Sequence, residues 1–140
     1  MKLLIASLIL CVLTGCATSE VSFKNAKQVP DDRLFIKNNV AGDSTITIIR
    51  DSGFLGSGCN INFFINEELA ATLDVSEKAT FHVNEGEMFL GLQPSGNGLC
   101  ISGSIRQLET SIKKGQHKIY RVALEQSGSM AILPSGIYKD

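Results

Sequence analysis

Two histidines, four cysteines and one glycine-rich stretch are the features of this 140-residue chain that could carry chemistry. The stretch reads Asp51-Ser52-Gly53-Phe54-Leu55-Gly56-Ser57-Gly58-Cys59. Its glycine spacing superficially suits a phosphate cradle. Such cradles lead from a strand into a helix, and the Walker type needs a Gly-Lys-[Ser/Thr] that is absent here. An alternating, strand-like run follows Cys59, so the stretch reads as a flexible loop. Ser52, His82 and Asp74 supply the side chains of a hydrolase triad on paper, but no nucleophile-elbow motif surrounds Ser52. His82 alternates with Phe81 and Val83, which turns it to solvent, and His117 opens a strand as a surface residue. Glu85 and Glu87 flank a turn glycine and read as a solvated pair. Arg50-Asp51 reads as a local ion pair, worth well under ~1 kcal/mol if exposed. Cys59 and Cys100 would need further ligands to hold a metal, and neither histidine stands at ligand spacing from them. Catalysis, a metal and a cofactor are all unexpected.

The first residues set the context for those cysteines. One lysine, Lys2, precedes an apolar run from Leu3 to Leu13, and small residues follow. This is the layout of a secretory signal peptide, too short to span a bilayer comfortably as a helix. Residues 1–15 are therefore set aside as a cleaved leader. Leu13-Thr14-Gly15-Cys16 resembles the lipobox of bacterial lipoproteins, Leu-[Ala/Ser/Thr]-[Gly/Ala]-Cys. The resemblance implies a diacylglycerol on the Cys16 thiol, cleavage before it and acylation of the new amine, usually with palmitate-type chains. A thiolate is a good nucleophile for taking up the lipid. Several acyl chains, at about 0.8 kcal/mol per buried CH2, anchor far better than one. The competing reading is an ordinary secreted protein with a chance cysteine at that place. Ala17 follows Cys16, and in enteric-type sorting an aspartate there retains a lipoprotein in the inner membrane. The expected place is the outer membrane, facing the periplasm.

Cys11 is lost with the leader and Cys16 takes the lipid, which leaves Cys59 and Cys100. An even pair in an exported chain is expected to form a disulfide, because the periplasm is oxidising. Two free buried thiols are the rival reading. The formal charge of the whole chain is −1, and the leader removes one more lysine. That balance argues against nucleic acid, which needs a basic patch. It also leaves membrane attachment to the acyl chains. With seven Phe, two Tyr and no Trp, an aromatic-lined groove is not favoured.

Residues 17–31 are polar and without sustained period, so 16–31 reads as a lipidated N-terminus and tether that could reach roughly 50 Å when extended. From there the period is two. Leu34 and Ile36, Thr45 to Ile49, Asn60 to Asn66, Leu69 to Leu73, Ala79 to Val83, Met88 to Leu92, Cys100 to Leu108, Tyr120 to Leu124 and Met130 to Leu133 read as short strands separated by turn residues. This pattern predicts an all-β domain over 32–140, a single antiparallel β-sandwich of about seven or eight strands. Phe63 to Leu73, followed by Phe81-His82-Val83-Asn84-Glu85-Gly86-Glu87, resembles the small β-domains of PEGA-type and related lipoproteins, over about half of the chain after Cys16. Asn66-Glu67 stands where those domains usually carry Asp-Gly, and Asn84-Glu85-Gly86 where Pro-Gly is usual. The resemblance implies an all-β domain and carries over no catalytic residue.

A Cys59–Cys100 bond gathers two loops at one end of the domain. Phe54, Leu55, Asn97 and Leu99 on those loops are the candidate partner-binding residues, since contacts concentrate on loops held by a rigid scaffold. The expected role is a non-enzymatic, lipid-anchored binding or accessory module with a protein partner in the envelope. A periplasmic inhibitor or immunity-type lipoprotein against a toxin or phage component is the second reading. An envelope hydrolase, using His82, is the third.

Overall fold

The computed structural model describes residues 18–36, 42–53, 58–97, 100, 103–125 and 129–137. The leader, Cys16 and the loop residues Phe54, Leu55 and Leu99 lie outside them. Nine strands occur among the described residues: β1 (Lys27–Gln28), β2 (Ser44–Arg50), β3 (Asn60–Ile65), β4 (Glu68–Leu73), β5 (Glu77–Val83), β6 (Gly86–Ser95), β7 (Arg106–Ile112), β8 (His117–Leu124) and β9 (Met130–Ile137). They form a five-stranded sheet in the order β1-β5-β2-β8-β9 and a four-stranded sheet in the order β4-β3-β6-β7. The fold is all-β and sandwich-like: side chains of both sheets share one core, with Ile46, Ile48, Phe81, Tyr120 and Val122 meeting Ile61, Phe63, Leu73, Leu90 and Leu92. Phe63 and Phe81 touch across the layers at 5.9 Å between ring centroids. The Tyr120 hydroxyl lies 2.6 Å from Thr110 Oγ1 and ties β8 to β7.

The expectation of purely antiparallel pairing is corrected. The four-stranded sheet is antiparallel, but β2 pairs in parallel with β8, and β1 with β5. Parallel neighbours need a crossover, and here the second sheet supplies it. The chain leaves β2, builds β3 and β4, returns as β5 beside β2, leaves again for β6 and β7, and returns as β8 on the other flank of β2. The expected strand from Cys100 also starts later, at Arg106. Cys100 itself lies in a turn, its amide donating to the Asn97 carbonyl at 3.3 Å.

β2 is the central strand and is buried on both faces. Successive side chains of a strand point to opposite sides. Ile46 and Ile48 enter the shared core, whereas Thr47 and Ile49 lie on the outer face of the sheet, also with almost no exposure. The cover on that face comes from the segment that begins at residue 18, with Phe23 against His117 and Lys78, before Lys27–Gln28 joins the sheet edge and Val29 enters the core. The described part of the expected tether is therefore docked on the domain rather than free. Ser19 and Ser52 exchange two backbone hydrogen bonds at 2.6 and 3.0 Å. Phe23 lies under the Lys78 ammonium at 4.1 Å from the ring centroid. Ala26 and Val29 are buried, and Lys27–Gln28 pairs with β5 as β1. The chain then makes one 3-10 turn, Asp31–Arg33, and closes the open side of the two layers, with the Phe35 amide donating to the Ala70 carbonyl of β4 at 2.9 Å. A segment with only scattered apolar residues can dock in this way because its backbone groups and charges find partners.

Those charges are specific. Asp51 is fully buried, accepts from Arg121 Nε at 3.0 Å and Nη2 at 2.5 Å, and accepts from the Val21 amide at 3.3 Å. Arg121 also reaches Glu20 at 2.9 Å. The hydrogen bonds that Arg121 donates to Asp51 raise the Arg121 pKa above its ordinary value. Lower on the strap, Arg33 grips Glu77 through two nitrogens at 2.9 and 2.6 Å and donates to the Thr72 carbonyl at 3.2 Å. The paired arrangement raises the Arg33 pKa as well, first through the hydrogen bond to Glu77.

Cys59 and Cys100 form the expected disulfide, with Cα atoms 5.3 Å apart and a sequence separation of 41. In the chain-entropy account a loop of this size contributes about 4 kcal/mol. A Cys59→Ser, Cys100→Ser double variant is therefore expected to lower the urea midpoint by the equivalent of about 4 kcal/mol, and an unchanged midpoint contradicts that account. Asp51→Ala removes one partner of a buried pair, which costs about 3 kcal/mol. Limited proteolysis is expected to cut this variant first within residues 18–29, and cutting elsewhere first shows that the strap is held by other contacts.

Candidate functional site

At the end of the sheets opposite the disulfide, the layers part. The opening is a cleft of about 270 Å³. Strand directions define this end: β3 ends at Ile65, β5 at Val83, and β6 begins at Gly86. The floor is apolar, made by Ile36, Ile65, Phe81, Val83 and Met88. The rim is polar and anionic, made by Asn66, Glu68, His82, Asn84, Glu85 and Glu87.

Each wall is fixed by local chemistry. Asn66 and Glu67 both have positive φ, 49° and 67°. This two-residue turn joins β3 to β4 and suits the right-handed twist of a hairpin. Asn tolerates the conformation readily; Glu67 adopts it at a cost of order 1 kcal/mol. The turn is braced from the side. The Asn66 amide donates to the Phe89 carbonyl at 2.8 Å, and the Phe89 amide donates to Asn66 Oδ1 at 2.9 Å. The second wall is the β5–β6 connection, which crosses from one sheet to the other and where Gly86 has φ of 132°. Close behind it runs Gly42, where a Cβ would come within 2.5 Å of the Val83 backbone. A side chain at 42 is therefore incompatible with this wall.

The arrangement can hold an apolar group against the floor while Glu68, Glu85 and Glu87 attract a neighbouring positive charge. Among the described residues no group of three or more His, Cys, Asp or Glu side chains is placed to hold a metal ion. The rim carboxylates are exposed and spread around the opening.

The residues that the sequence singles out fall in several places. Ser52, His82 and Asp74 are not brought together. His82 pairs with Thr45 near the start of β2, whereas Ser52 lies seven residues further along, a separation of roughly 20 Å in extended chain. The Ser52 hydroxyl donates to the Ser19 carbonyl, and Asp74 Oδ1 accepts from the Val75 amide. His82 is exposed, as expected. His117 is not a plain surface residue. It is half-buried, with Nε2 2.8 Å from Thr47 Oγ1 and Phe23 edge-on at 6.0 Å, because the docked strap covers that part of the sheet.

Arg50 and Asp51 do not form a local ion pair, since neighbours on a strand face opposite ways. Arg50 points inward at the disulfide end and donates from Nη1 to the carbonyls of Cys59 at 2.7 Å and Leu73 at 3.0 Å. Burial lowers its pKa, and Asp74 and Glu77 partly offset that. Of the candidate loop residues, Asn97 is described and exposed, beside Cys100. The cleft itself went unnoticed in the sequence. Its floor draws on three separate segments, and only their pairing brings them together. The alternation of Phe81, His82 and Val83 and the glutamates around Gly86 were the available signals, and each is equally typical of a plain hairpin.

A scan of the chain against known family profiles finds no match, and a comparison with curated proteins finds none either, so the likeness to PEGA-type domains rests on the residues quoted above.

Proposed function

We propose that this protein is a non-enzymatic, lipid-anchored binding module of the bacterial envelope, attached through Cys16 to the outer membrane and facing the periplasm, with its partner seated in the cleft between Asn66 and Glu87. The observation that carries the binding role is the cleft: an apolar floor with an anionic rim, walled by the braced β3–β4 hairpin and by the β5–β6 crossover between the sheets. The lipid anchor rests on the apolar leader and on Leu13-Thr14-Gly15-Cys16. The disulfide supports the same compartment, because such bonds persist in oxidising surroundings.

The chemistry of the cleft defines what it takes. An exposed segment of an envelope protein with an aliphatic or aromatic residue beside a lysine or arginine satisfies floor and rim together. Rim charges steer the encounter and add discrimination, while the buried apolar anchor supplies affinity. The module is a β-sandwich whose strand ends present the site with little ordering cost on binding.

Two measurements test this. Growth with an alkyne analogue of palmitate is expected to label the wild-type chain and not Cys16→Ser, and labelling that survives the substitution rejects Cys16 as the lipid site. A photo-reactive residue at Asn84 is expected to cross-link an envelope protein in living cells. Reversing Glu68, Glu85 and Glu87 to Lys is expected to weaken that adduct about tenfold, the equivalent of about 1.4 kcal/mol. An adduct indifferent to the reversal excludes the charged rim from recognition.

A further inference from the structure

The strap fixes how far the domain can stand from its lipid. Ser19 is already bonded to Ser52, and Thr18 Oγ1 is 3.5 Å from the Leu124 carbonyl. Cys16 is three residues before Ser19, so it lies within about 11 Å of Ser19 even if the chain between is fully extended. The docked strap thus removes nearly all of the reach that residues 17–31 would have as a free tether.

It also fixes which end is held. Ser52 follows β2, and Leu124 ends β8, so both lie where Arg50, Cys59 and Cys100 sit. The cleft is at the other end of the same strands. β6 spans the distance between the ends with ten residues, about 33 Å.

From these we infer that the disulfide end of the domain rests against the bilayer, moored there by Cys16 and the docked strap, and that the cleft is presented away from the membrane by the full length of the sheets. The occupant of the disulfide end is the lipid surface itself. Asn97 and its loop then face the bilayer and are withdrawn from soluble partners. This inference rests on the lipidation of Cys16 stated above.

The chain has no tryptophan, so a single introduced one reports its own surroundings. Ser104 is exposed at the disulfide end and Lys114 is exposed at the cleft end, so neither substitution disturbs the core. The lipidated full chain is placed in phosphatidylethanolamine–phosphatidylglycerol vesicles carrying a headgroup spin label. Fluorescence of Ser104→Trp is expected to be quenched at least about twofold more than that of Lys114→Trp. Equal quenching of the two overturns the proposed orientation. Inserting ten Gly/Ser residues between Ala17 and Thr18 is expected to bring Ser104→Trp down to the Lys114→Trp level, and quenching that persists overturns mooring by the short linker. Mass spectrometry of the same samples separates the two levels of failure. A Cys16 without lipid rejects the anchor itself, whereas a lipidated Cys16 with equal quenching rejects the orientation alone.

Discussion

Two adjacent charged residues at the end of β2 hold the layers of this protein together. Arg50 turns inward and binds carbonyls of the loop before β3 and of the end of β4. Asp51 turns outward and binds Arg121 of β8 and the amide of Val21. One strand end thereby fastens the four-stranded sheet on one side and the N-terminal strap on the other. Neither residue is free to be exchanged for a neutral one. A buried guanidinium donates to carbonyls that would otherwise go unpaired, and a buried carboxylate without Arg121 would be an uncompensated charge. The double burial of β2 follows, and with it the otherwise puzzling adjacency of Ile48 and Ile49 in an alternating strand.

The period-two pattern made most of the strands readable, since each has one face in the shared core and the other in contact with water. It failed where that premise fails. β2 carries apolar or small residues on both faces, a pattern that fits a strand covered twice, and the cover could not be seen because the strap has no period of its own. Residues 18–29 hold their place through Val21, Phe23, Ala26 and Val29 at irregular spacing, plus backbone bonds and ion pairs that involve partners 30 to 100 residues away. The parallel neighbours β2 and β8 were equally hidden, because turn residues reveal hairpins and say nothing of crossovers. His117 was misplaced for the same reason: its own strand exposes it, and Phe23 of a distant segment covers it.

The disulfide was legible because counting leaves Cys59 and Cys100 as an even pair once the expected leader and Cys16 are set aside. The cleft was not, because it depends on where two sheets stop touching. Its walls have local causes, a hairpin with Asn66-Glu67 at positive φ and a sheet-to-sheet crossover with Gly86 after Asn84-Glu85. Nothing in either connection announces that Ile36 completes the floor between them. The continuation of the segment that hid the outer face of β2 thus also finishes the site.

That dual use explains an economy in the architecture. A free spacer would let the domain tumble, so that a partner approaching along the envelope would meet the cleft at random orientations. With the lipid anchor proposed at Cys16, a docked strap would shorten the linker and give the attachment a direction, with most of the ordering entropy of residues 18–36 already lost on folding rather than on encounter. The contacts that achieve this are those that build the fold: Arg33 on Glu77, Asp51 on Arg121, Ser19 on Ser52. Loosening the strap therefore acts on stability and on the floor of the cleft at once, and in the proposed role it would act on the presentation of the cleft as well.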